Sequence, residues 1–187
     1  HAMAKAINQA AITGVIEICP SYTELAVYFN PLVISHDKLI PILEDLDTSD
    51  REQEQPGCGS VITIPVSYGG TDGPDLEEVA RLTGMSAQEI IDMHAQPVYE
   101  VYMIGFLPGF PYLGLVSSVI AVPRLSQPRL KVPRGSVGLA GNQTGIYPCE
   151  APGGWRLIGR TDAPMFDPQR AQPCYLQPGD RVRFKPV

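Results

Sequence analysis

Apolar and polar residues alternate near the start of the chain with the two-residue period of β-strands. Residues 15–20 and 24–30 both show this alternation, and the Pro-Ser-Tyr sequence between them is typical of a turn. Together they predict an antiparallel hairpin with one face against a core. Residues 38–46 instead carry an apolar stripe at helical spacing, and Ser35 is placed to cap that helix.

The segments on either side of these elements are less regular. Residues 1–9 have a helix-forming composition without an N-cap, so they are either a cloning scar before Met3 or the tail of a native helix. Residues 47–59 are charged and then glycine-rich, which predicts a loop. A further strand is predicted at 61–66.

A pair of capped helices follows this strand. Asp75 with Glu78, and Ser86 with Glu89, have the spacing of capping boxes, and Gly84 stands where the first helix would end in left-handed backbone. A DNA-binding helix-turn-helix has the same pattern. These helices, however, carry many acidic and few basic residues, and DNA phosphate would be repelled. We therefore favour a structural role for the pair.

No helical period is sustained beyond Pro97. Short apolar segments alternate with proline and glycine turns, beginning with a predicted strand at 99–104 and closing with residues 178–184. This pattern predicts an all-β domain, most simply a small barrel. The sequence as a whole predicts an α+β protein with a small N-terminal α/β domain at 1–92 and a β-barrel domain at 93–187.

Composition narrows the class of protein further. No apolar run reaches the roughly 20 residues of a membrane helix, and no signal peptide is recognisable, so we expect a cytoplasmic protein without membrane contact. The four cysteines are far apart, and none has a histidine at metal-ligand spacing. Neither a metal site nor a disulfide framework is expected.

The net charge of −6 is unevenly distributed along the chain. Residues 1–120 hold sixteen acidic and four basic residues, whereas residues 121–160 hold six basic residues and one acidic residue. Such a basic segment is typical of a site for a carboxylate, a phosphate or an acidic partner, and equally of a solvated surface. Nucleic acid is not expected as a partner, because the protein is acidic and the basic segment lacks interleaved aromatic residues.

Two segments have the composition of a ligand site. Residues 105–114 combine three glycines with aromatic residues and prolines, which suits an apolar pocket wall or an aromatic-filled turn. Residues 123–161 combine arginines with prolines and glycine-rich backbone, which suits an anionic or amide-bearing ligand, although no P-loop motif is present. His94, at the end of the second helix, is either an acid/base group or a partner of the helix dipole.

Longer motifs within these segments resemble a known family. The strings GFLPGFPYLG, PRLSQPRLKVPRGSVGLAGNQTGIYP and PGGWRLIGRT are similar to motifs of the B-type subunits of bacterial 5-oxoprolinase. That family also contains the kinase inhibitor KipI and subunit 1 of allophanate hydrolase. The resemblance, over about residues 12–187, implies a C-terminal cyclophilin-like β-barrel after the α/β domain. It also implies that the chain lacks the first strand of that domain.

The resemblance further implies an activity and partners. The B-type subunit acts in an ATP-dependent 5-oxoprolinase that converts 5-oxoproline to glutamate with a C-type subunit and an A-type subunit of the LamB/YcsF family. ATP would be bound by the complex, either on this subunit or on its partner. Two alternatives share the same motifs: a KipI-type inhibitor of a sporulation histidine kinase, and an allophanate- or urea-processing subunit similar to carboxyltransferases.

In that family context the candidate site residues form two groups. We expect His94, Arg129 and Gln143 to take part in catalysis. The expected substrate-binding residues are apolar walls, cations for anionic groups, and hydrogen-bonding residues of the long motif: Phe106, Phe110, Tyr112, Arg124, Arg134, Ser136, Thr144 and Trp155. No residue is expected to bind a metal.

Overall fold

The computed structural model describes residues 2–21, 23–46 and 61–187. These residues fall into two units: those up to Leu46 belong to the first, and those from Val61 onward belong to the second. The second unit contains both segments that the sequence singles out for ligand binding.

The first unit contains the predicted hairpin. Strand β1 (Val15–Pro20) pairs antiparallel with strand β2 (Leu25–Phe29), as the alternation of apolar residues predicts. Helix α1 (Ala2–Ala10) contacts β1 and buries Ala6 and Ile7. The first residues are therefore helical, as their composition predicts.

A short helix follows the hairpin. Helix α2 spans His36–Glu44 and begins after Ser35, whose side chain makes no capping hydrogen bond. Leu39 is buried on this helix. The prediction of a helix here is confirmed, but the predicted range of 38–46 begins and ends two residues later than the observed helix. An error of this size is usual for helix boundaries. The predicted loop at 47–59 lies outside the described residues.

The second unit is built on a closed seven-stranded barrel. The nine described strands of this unit, seven of which form the barrel, are in chain order β3 (Ile62–Tyr68), β4 (Tyr99–Ile104), β5 (Pro111–Leu113), β6 (Arg129–Val132), β7 (Ser136–Ala140), β8 (Gln143–Ile146), β9 (Ala151–Gly153), β10 (Arg156–Arg160) and β11 (Arg181–Pro186). Around the barrel the order is β10-β3-β11-β4-β5-β8-β7, while β6 and β9 form a separate pair. The predicted α+β class with a barrel is confirmed.

The barrel is closed by its first and last strands. Strand β3 lies between β10, with which it pairs antiparallel, and β11, with which it pairs parallel. Ile64 and Val66 on β3, and Val182 and Phe184 on β11, are all buried in the core. They alternate along each strand with less buried residues, so one face of each strand is turned toward the barrel interior.

The predicted domain boundary between residues 92 and 93 does not coincide with the division of the structure. Strand β3 and the two helices that follow it belong to the same unit as the rest of the barrel. Since β3 pairs with β10 and β11, residues 61–92 cannot leave residues 93–187 without opening the barrel. This pairing spans more than 90 positions of sequence, and no local pattern reports it.

The two helices form as their capping signals predict. Helix α3 spans Leu76–Thr83 and helix α4 spans Ala87–Ala95. Gly84 ends α3 in left-handed backbone with φ of 71°, a conformation that favours glycine. Ser86 and Glu89 form a complete capping box at the start of α4, with each side chain bonded to the other's backbone N–H.

The other predicted capping box, at the start of α3, is not formed. Asp75 precedes α3 but its side chain makes no capping hydrogen bond. Its carboxylate instead accepts hydrogen bonds from Arg129 and from the backbone N–H of Leu157. Glu78 accepts two hydrogen bonds from Arg81. Asp75 is bound by groups distant in sequence and Glu78 by Arg81 of the same helix, so the capping box between Asp75 and Glu78 does not form.

Candidate functional site

A cavity of about 230 Å³ lies in the barrel unit. Both segments that the sequence singles out, 105–114 and 123–161, contribute to its lining. The residues that line it are Phe106, Phe110, Tyr112, Arg124, Pro128, Tyr147, Pro152, Gly153, Gly154 and Trp155. Five of the predicted substrate-binding residues, the four aromatic ones and Arg124, therefore lie together.

Two glycines allow the aromatic residues to pack directly on the sheet. Gly138 on β7 stands opposite Gly145 on β8. A Cβ atom added at Gly145 would lie 2.9 Å from the ring of Phe110, and one added at Gly138 would lie 3.0 Å from the Cβ of Trp155. A larger residue at either position would crowd Phe110 or Trp155, so glycine is required for this close packing.

Phe110 is the centre of the aromatic wall. Its ring is 1% exposed, and ring centroids lie 4.9 Å away at Tyr112, 5.2 Å at Tyr147 and 5.4 Å at Trp155. The contacts with Tyr147 and Trp155 are edge-to-face, an arrangement that aromatic quadrupoles favour. These contacts hold the rings in a fixed arrangement before any ligand arrives.

Polar groups are added to this wall by Arg124 and two tyrosines. The guanidinium carbon of Arg124 lies 5.8 Å from the centre of the Trp155 ring, within the range of a cation–π contact. Burial raises the pKa of both Tyr112 and Tyr147, and the charge of Arg124 opposes that rise. Both phenols therefore stay protonated at neutral pH and can donate hydrogen bonds.

Most of the other cations of the basic segment are paired with acids. Among the residues that the structure describes, Arg124 and Arg134 make no ion pair, whereas the remaining four cations of the segment do. These pairs are Arg129 with Asp75 at 2.6 Å, Lys131 with Glu150 at 3.2 Å, Arg156 with Glu78 at 4.0 Å and Arg160 with Asp72 at 3.7 Å. Most cations of the basic segment are thus neutralised by ion pairs, and Arg124 is the cation in the described lining of the cavity.

Arg129, predicted to be catalytic, lies outside the cavity lining. Its Nη2 donates to the Oδ1 of Asp75 at 2.6 Å, and the Oδ2 of Asp75 accepts from the N–H of Leu157 at 2.7 Å. The Nη1 atom of Arg129 is buried and has no hydrogen-bond partner in the described chain. Because β6 pairs with β9 through Arg129 and Gly153, the ion pair ties this wall of the cavity to the start of α3.

His94, the second predicted catalytic residue, lies in the barrel core. It is fully buried and its ring stacks on Phe184 with centroids 4.5 Å apart. The Nδ1 atom lies 2.7 Å from the hydroxyl of Tyr68, and Nε2 lies 2.8 Å from the hydroxyl of Thr144. Both ring nitrogens are already used, so His94 is not presented to a ligand.

The hydrogen bonds fix the tautomer of His94. Burial lowers its pKa to about 3, so the ring is neutral and carries one N–H. The hydroxyl of Thr144 donates to the carbonyl of Gly138 at 3.1 Å, which leaves its oxygen to accept from Nε2–H. Nδ1 is then the acceptor for Tyr68. A neutral ring does not complement the helix dipole either, so neither sequence-based interpretation of His94 describes its contacts.

The remaining predicted residues are not brought into the cavity. Gln143 is partly exposed at the start of β8, and Arg134 is exposed before the turn at Gly135. Ser136 and Thr144 are buried in β7 and β8, with 2% and 0% exposure. The geometry therefore does not unite His94, Arg129 and Gln143 as one catalytic group.

Several residues that matter to this geometry were assigned no role in the site from the sequence. Tyr147 lines the cavity, and it stands in the long motif that carries the family resemblance. Tyr68 and Asp75 bind His94 and Arg129, but their partners are distant in sequence, and only tertiary structure reports such contacts. Of these residues, Tyr147 could have been predicted from the sequence, because it lies in that motif.

Three further features concern metals, thiols and membranes. Among the described residues, no three His, Cys, Asp or Glu side chains lie where they could hold a metal ion. The described cysteines, Cys19, Cys149 and Cys174, form no disulfide. No helix in residues 2–46 or 61–187 is long and apolar enough to cross a membrane.

Comparison with known proteins shows a consistent set of relatives. The B-type subunit of 5-oxoprolinase from Bacillus subtilis (strain 168) is 43% identical over 202 aligned positions, 98% of this chain and 80% of that protein. Its counterpart in Haemophilus influenzae is 47% identical over 163 positions, 87% of this chain and 72% of that protein. The urea amidolyase of Saccharomyces cerevisiae is 23% identical over 93% of this chain, but this is only 11% of that enzyme.

A solved structure and a family model agree with these relatives. The crystal structure of TTHA0988 superposes with a TM-score of 0.80 at 39% identity; the match covers 100% of this chain and 36% of TTHA0988, so this chain spans about a third of its length. Residues 1–176 match the family model described as carboxyltransferase domain, subdomain C and D. This chain therefore belongs to the family of carboxyltransferase-type subdomains C and D that contains the B-type subunits of 5-oxoprolinase.

Proposed function

We propose that this chain is the B-type subunit of an ATP-dependent 5-oxoprolinase. In this proposal it acts in the cytoplasm with a C-type and an A-type subunit, and the complex opens the lactam of 5-oxoproline to give glutamate. The relatives that carry the name of this 5-oxoprolinase subunit, at 42–47% identity, support the identity of the chain. The size and lining of the cavity support 5-oxoproline as the substrate.

The cavity has the size and chemistry that 5-oxoproline requires. Its volume of about 230 Å³ lies below the roughly 300–1,000 Å³ of pockets for drug-sized ligands, which suits a small metabolite. The substrate is a flat five-membered lactam that carries a carboxylate. Arg124 would hold the carboxylate, the hydroxyls of Tyr112 and Tyr147 would donate to its oxygens, and the aromatic wall would contact the ring.

One observation carries this assignment more than any other. Arg124 stands over Trp155 at the cavity and makes no ion pair with any described acid, whereas four of the other five cations of the basic segment are paired with acids and the fifth, Arg134, lies outside the cavity lining. A guanidinium on an aromatic face with free donors is well suited to bind a carboxylate. The cation of the cavity is thus available to a ligand.

The described lining contains no carboxylate, imidazole or thiol. We therefore assign binding and orientation of the substrate to this cavity, and the hydrolytic chemistry to groups elsewhere in the complex. The volume of the cavity favours a small metabolite over a nucleoside triphosphate. ATP is accordingly proposed to bind at another surface of the complex, and the C-type partner is the first candidate.

The assembly is tested by reconstitution. ATP hydrolysis that depends on 5-oxoproline is measured with this chain and its C-type and A-type partners together, and then with each protein omitted in turn. We expect turnover only when this chain is present. Turnover that is unaffected by leaving it out would contradict the proposal.

The substrate assignment is tested by replacing Arg124. Loss of a charge-assisted hydrogen bond costs about 1.5–3 kcal/mol, so Arg124→Gln should weaken 5-oxoproline binding by about tenfold or more. Trp155, the sole tryptophan of the chain, lies in the cavity and its fluorescence reports binding directly. Lys131→Gln is the matched control, because Lys131 is exposed in the same segment and pairs with Glu150. Equal binding by both variants would remove Arg124 from the site.

The alternatives give different outcomes in the same experiments. A KipI-type inhibitor would bind and inhibit a histidine kinase and would not be required for 5-oxoproline turnover. An allophanate- or urea-processing subunit would support turnover of those substrates instead. This chain is 23% identical to urea amidolyase and matches only a small part of that enzyme, so the similarity supports a shared domain and not a shared substrate.

A further inference from the structure

The backbone at Phe106 is in an unusual conformation for a bulky residue. Its φ is +66°, in the left-handed region, and the N–H of Leu107 donates to the carbonyl of Gly105 at 2.8 Å. This bond encloses Phe106 in a three-residue γ-turn of the positive-φ type, which is rare and strained. In the described chain, the only other non-glycine residue with positive φ is Ala11, which follows α1, where left-handed residues are common.

The surrounding loop maintains this conformation. The N–H of Gly105 donates to the carbonyl of Phe110 at 3.1 Å, and the N–H of Phe110 donates to the carbonyl of Leu107 at 3.0 Å. Gly109 lies so close to the neighbouring backbone that an added Cβ would stand 2.7 Å from the carbonyl oxygen of Met165. A strained residue persists where its surroundings determine the backbone, and such residues cluster at ligand sites.

Packing of the side chain does not account for a phenylalanine in this turn. The side chain is 59% exposed, although its ring makes edge-to-face contacts with Phe110 at 5.6 Å and Tyr147 at 6.4 Å. Glycine would adopt the same backbone without strain. The ring nevertheless lines the cavity, at a position where a bound ligand would cover part of its exposed surface.

We propose that Phe106 is a specificity-determining residue of this cavity, held by its strained turn so that the phenyl ring closes against the flat lactam ring of the substrate. The inference rests on the proposed function, because it takes 5-oxoproline as the ligand. It divides recognition into two parts: Arg124 binds the carboxylate, and Phe106 with the aromatic wall binds the lactam face. The ligand class is a small planar lactam that carries an anionic group.

Two replacements of Phe106 separate its backbone from its ring. Phe106→Ala and Phe106→Gly both remove the ring, but only glycine relieves the left-handed strain. We expect the glycine variant to melt above the alanine variant by about 2–4 °C, the reverse of the usual order of the two residues. We expect both variants to raise the KM for 5-oxoproline in the reconstituted complex equally, by roughly tenfold. Phe106→Tyr should retain the wild-type KM.

A second probe separates the ring contact from the carboxylate contact. 2-Pyrrolidinone has the lactam ring of the substrate but no carboxylate, and it is used as a competitive inhibitor of the reconstituted complex. Its inhibition constant should rise in Phe106→Ala and Phe106→Gly and stay unchanged in Arg124→Gln. Leu115→Ala is the matched control, since Leu115 is 56% exposed in the same unit and does not line the cavity.

The outcomes distinguish this inference from the function on which it rests. If the wild-type complex shows no turnover with 5-oxoproline, the proposed function is overturned and this inference with it. If the wild type is active and the Phe106 variants keep its KM and its inhibition constant, the inference alone is overturned. A KM that follows the melting temperature, with glycine and alanine variants differing in both, would show a structural role and would also overturn it.

Discussion

The core of the barrel contains a chain of hydrogen bonds that begins and ends on neutral groups. Tyr68 donates to His94, His94 donates to Thr144, and Thr144 donates to the carbonyl of Gly138. Every member of this chain has a partner, which is the condition under which buried polar groups are tolerated. Protonating His94 would place a charge in an apolar core and remove the acceptor for Tyr68, so the ring stays neutral.

This burial predicts a pH dependence of stability. The pKa of His94 is lowered from 6.5 to about 3 in the folded protein, so below pH 6.5 the unfolded chain binds a proton that the folded chain does not. Stability from this group is therefore complete above about pH 6.5 and is lost as the pH falls toward about 3. The expected contribution to the slope is up to about 1.4 kcal/mol per pH unit.

The measurement is urea unfolding at pH 7, 6 and 5. His94→Gln removes the titrating group, so its free energy of unfolding should depend less on pH than that of the wild type over this range. His36→Gln is the control for the loss of a histidine, because His36 is exposed beside Asp37 and lies outside the hydrogen-bond chain of the core. Equal slopes for the wild type and His94→Gln would contradict a neutral, buried ring.

Among the secondary-structure elements, Asp75 connects three that are far apart in the chain. It stands before α3, its Oδ1 binds Arg129 of β6, and its Oδ2 binds the N–H of Leu157 of β10. The carboxylate is 10% exposed and Arg129 is 29% exposed, so the pair is largely screened from water. Through β6 and its partner β9, this residue positions one wall of the cavity.

Breaking this pair should be costly. Asp75→Asn leaves the guanidinium of Arg129 partly buried without its counter-charge, and we expect a loss of about 3 kcal/mol of unfolding free energy. Glu150→Gln breaks the exposed pair with Lys131 and should cost at most about 1 kcal/mol. Denaturant unfolding of both variants provides the comparison. Losses of equal size would show that the pair of Asp75 and Arg129 stabilises the fold no more than an exposed ion pair does.

The barrel as a whole depends on its last strand. Strand β11 pairs with β3 on one side and β4 on the other, so it joins the beginning of the unit to its middle. Phe184, at 1% exposure, stacks on His94 and contacts Tyr99, and it thereby links the strand to the polar chain in the core. Closure thus relies on residues separated by more than a hundred positions.

The effect of weakening this closure can be measured. Phe184→Ala should cost about 3–5 kcal/mol of unfolding free energy, because it removes a buried ring and leaves a cavity. Lys185→Ala, on the exposed side of the same strand, should change stability by less than about 0.5 kcal/mol. A loss for Phe184→Ala near that of Lys185→Ala would show that packing of Phe184 contributes little to holding the barrel closed.

Prediction from the sequence succeeded where the physical cause is local. The hairpin, the helices and the strand at 99–104 follow from periodicity over a few residues. The capping box at Ser86 and Glu89 forms because no distant group competes for it. The aromatic cavity was anticipated in part, since Phe106, Phe110 and Tyr112 come from one segment and Arg124 and Trp155 from another, and composition marked both.

The rest depends on contacts between residues far apart in the chain. His94 and Thr144 are 50 positions apart, and Asp75 and Arg129 are 54 apart. Those contacts decide that the histidine is a neutral core residue and that Arg129 braces a wall. The amino-acid sequence alone specified the helices and strands and the aromatic and basic residues of the site. Which arginine remains available to a ligand was settled by folding, because charge pairing and burial depend on distances that periodicity does not contain.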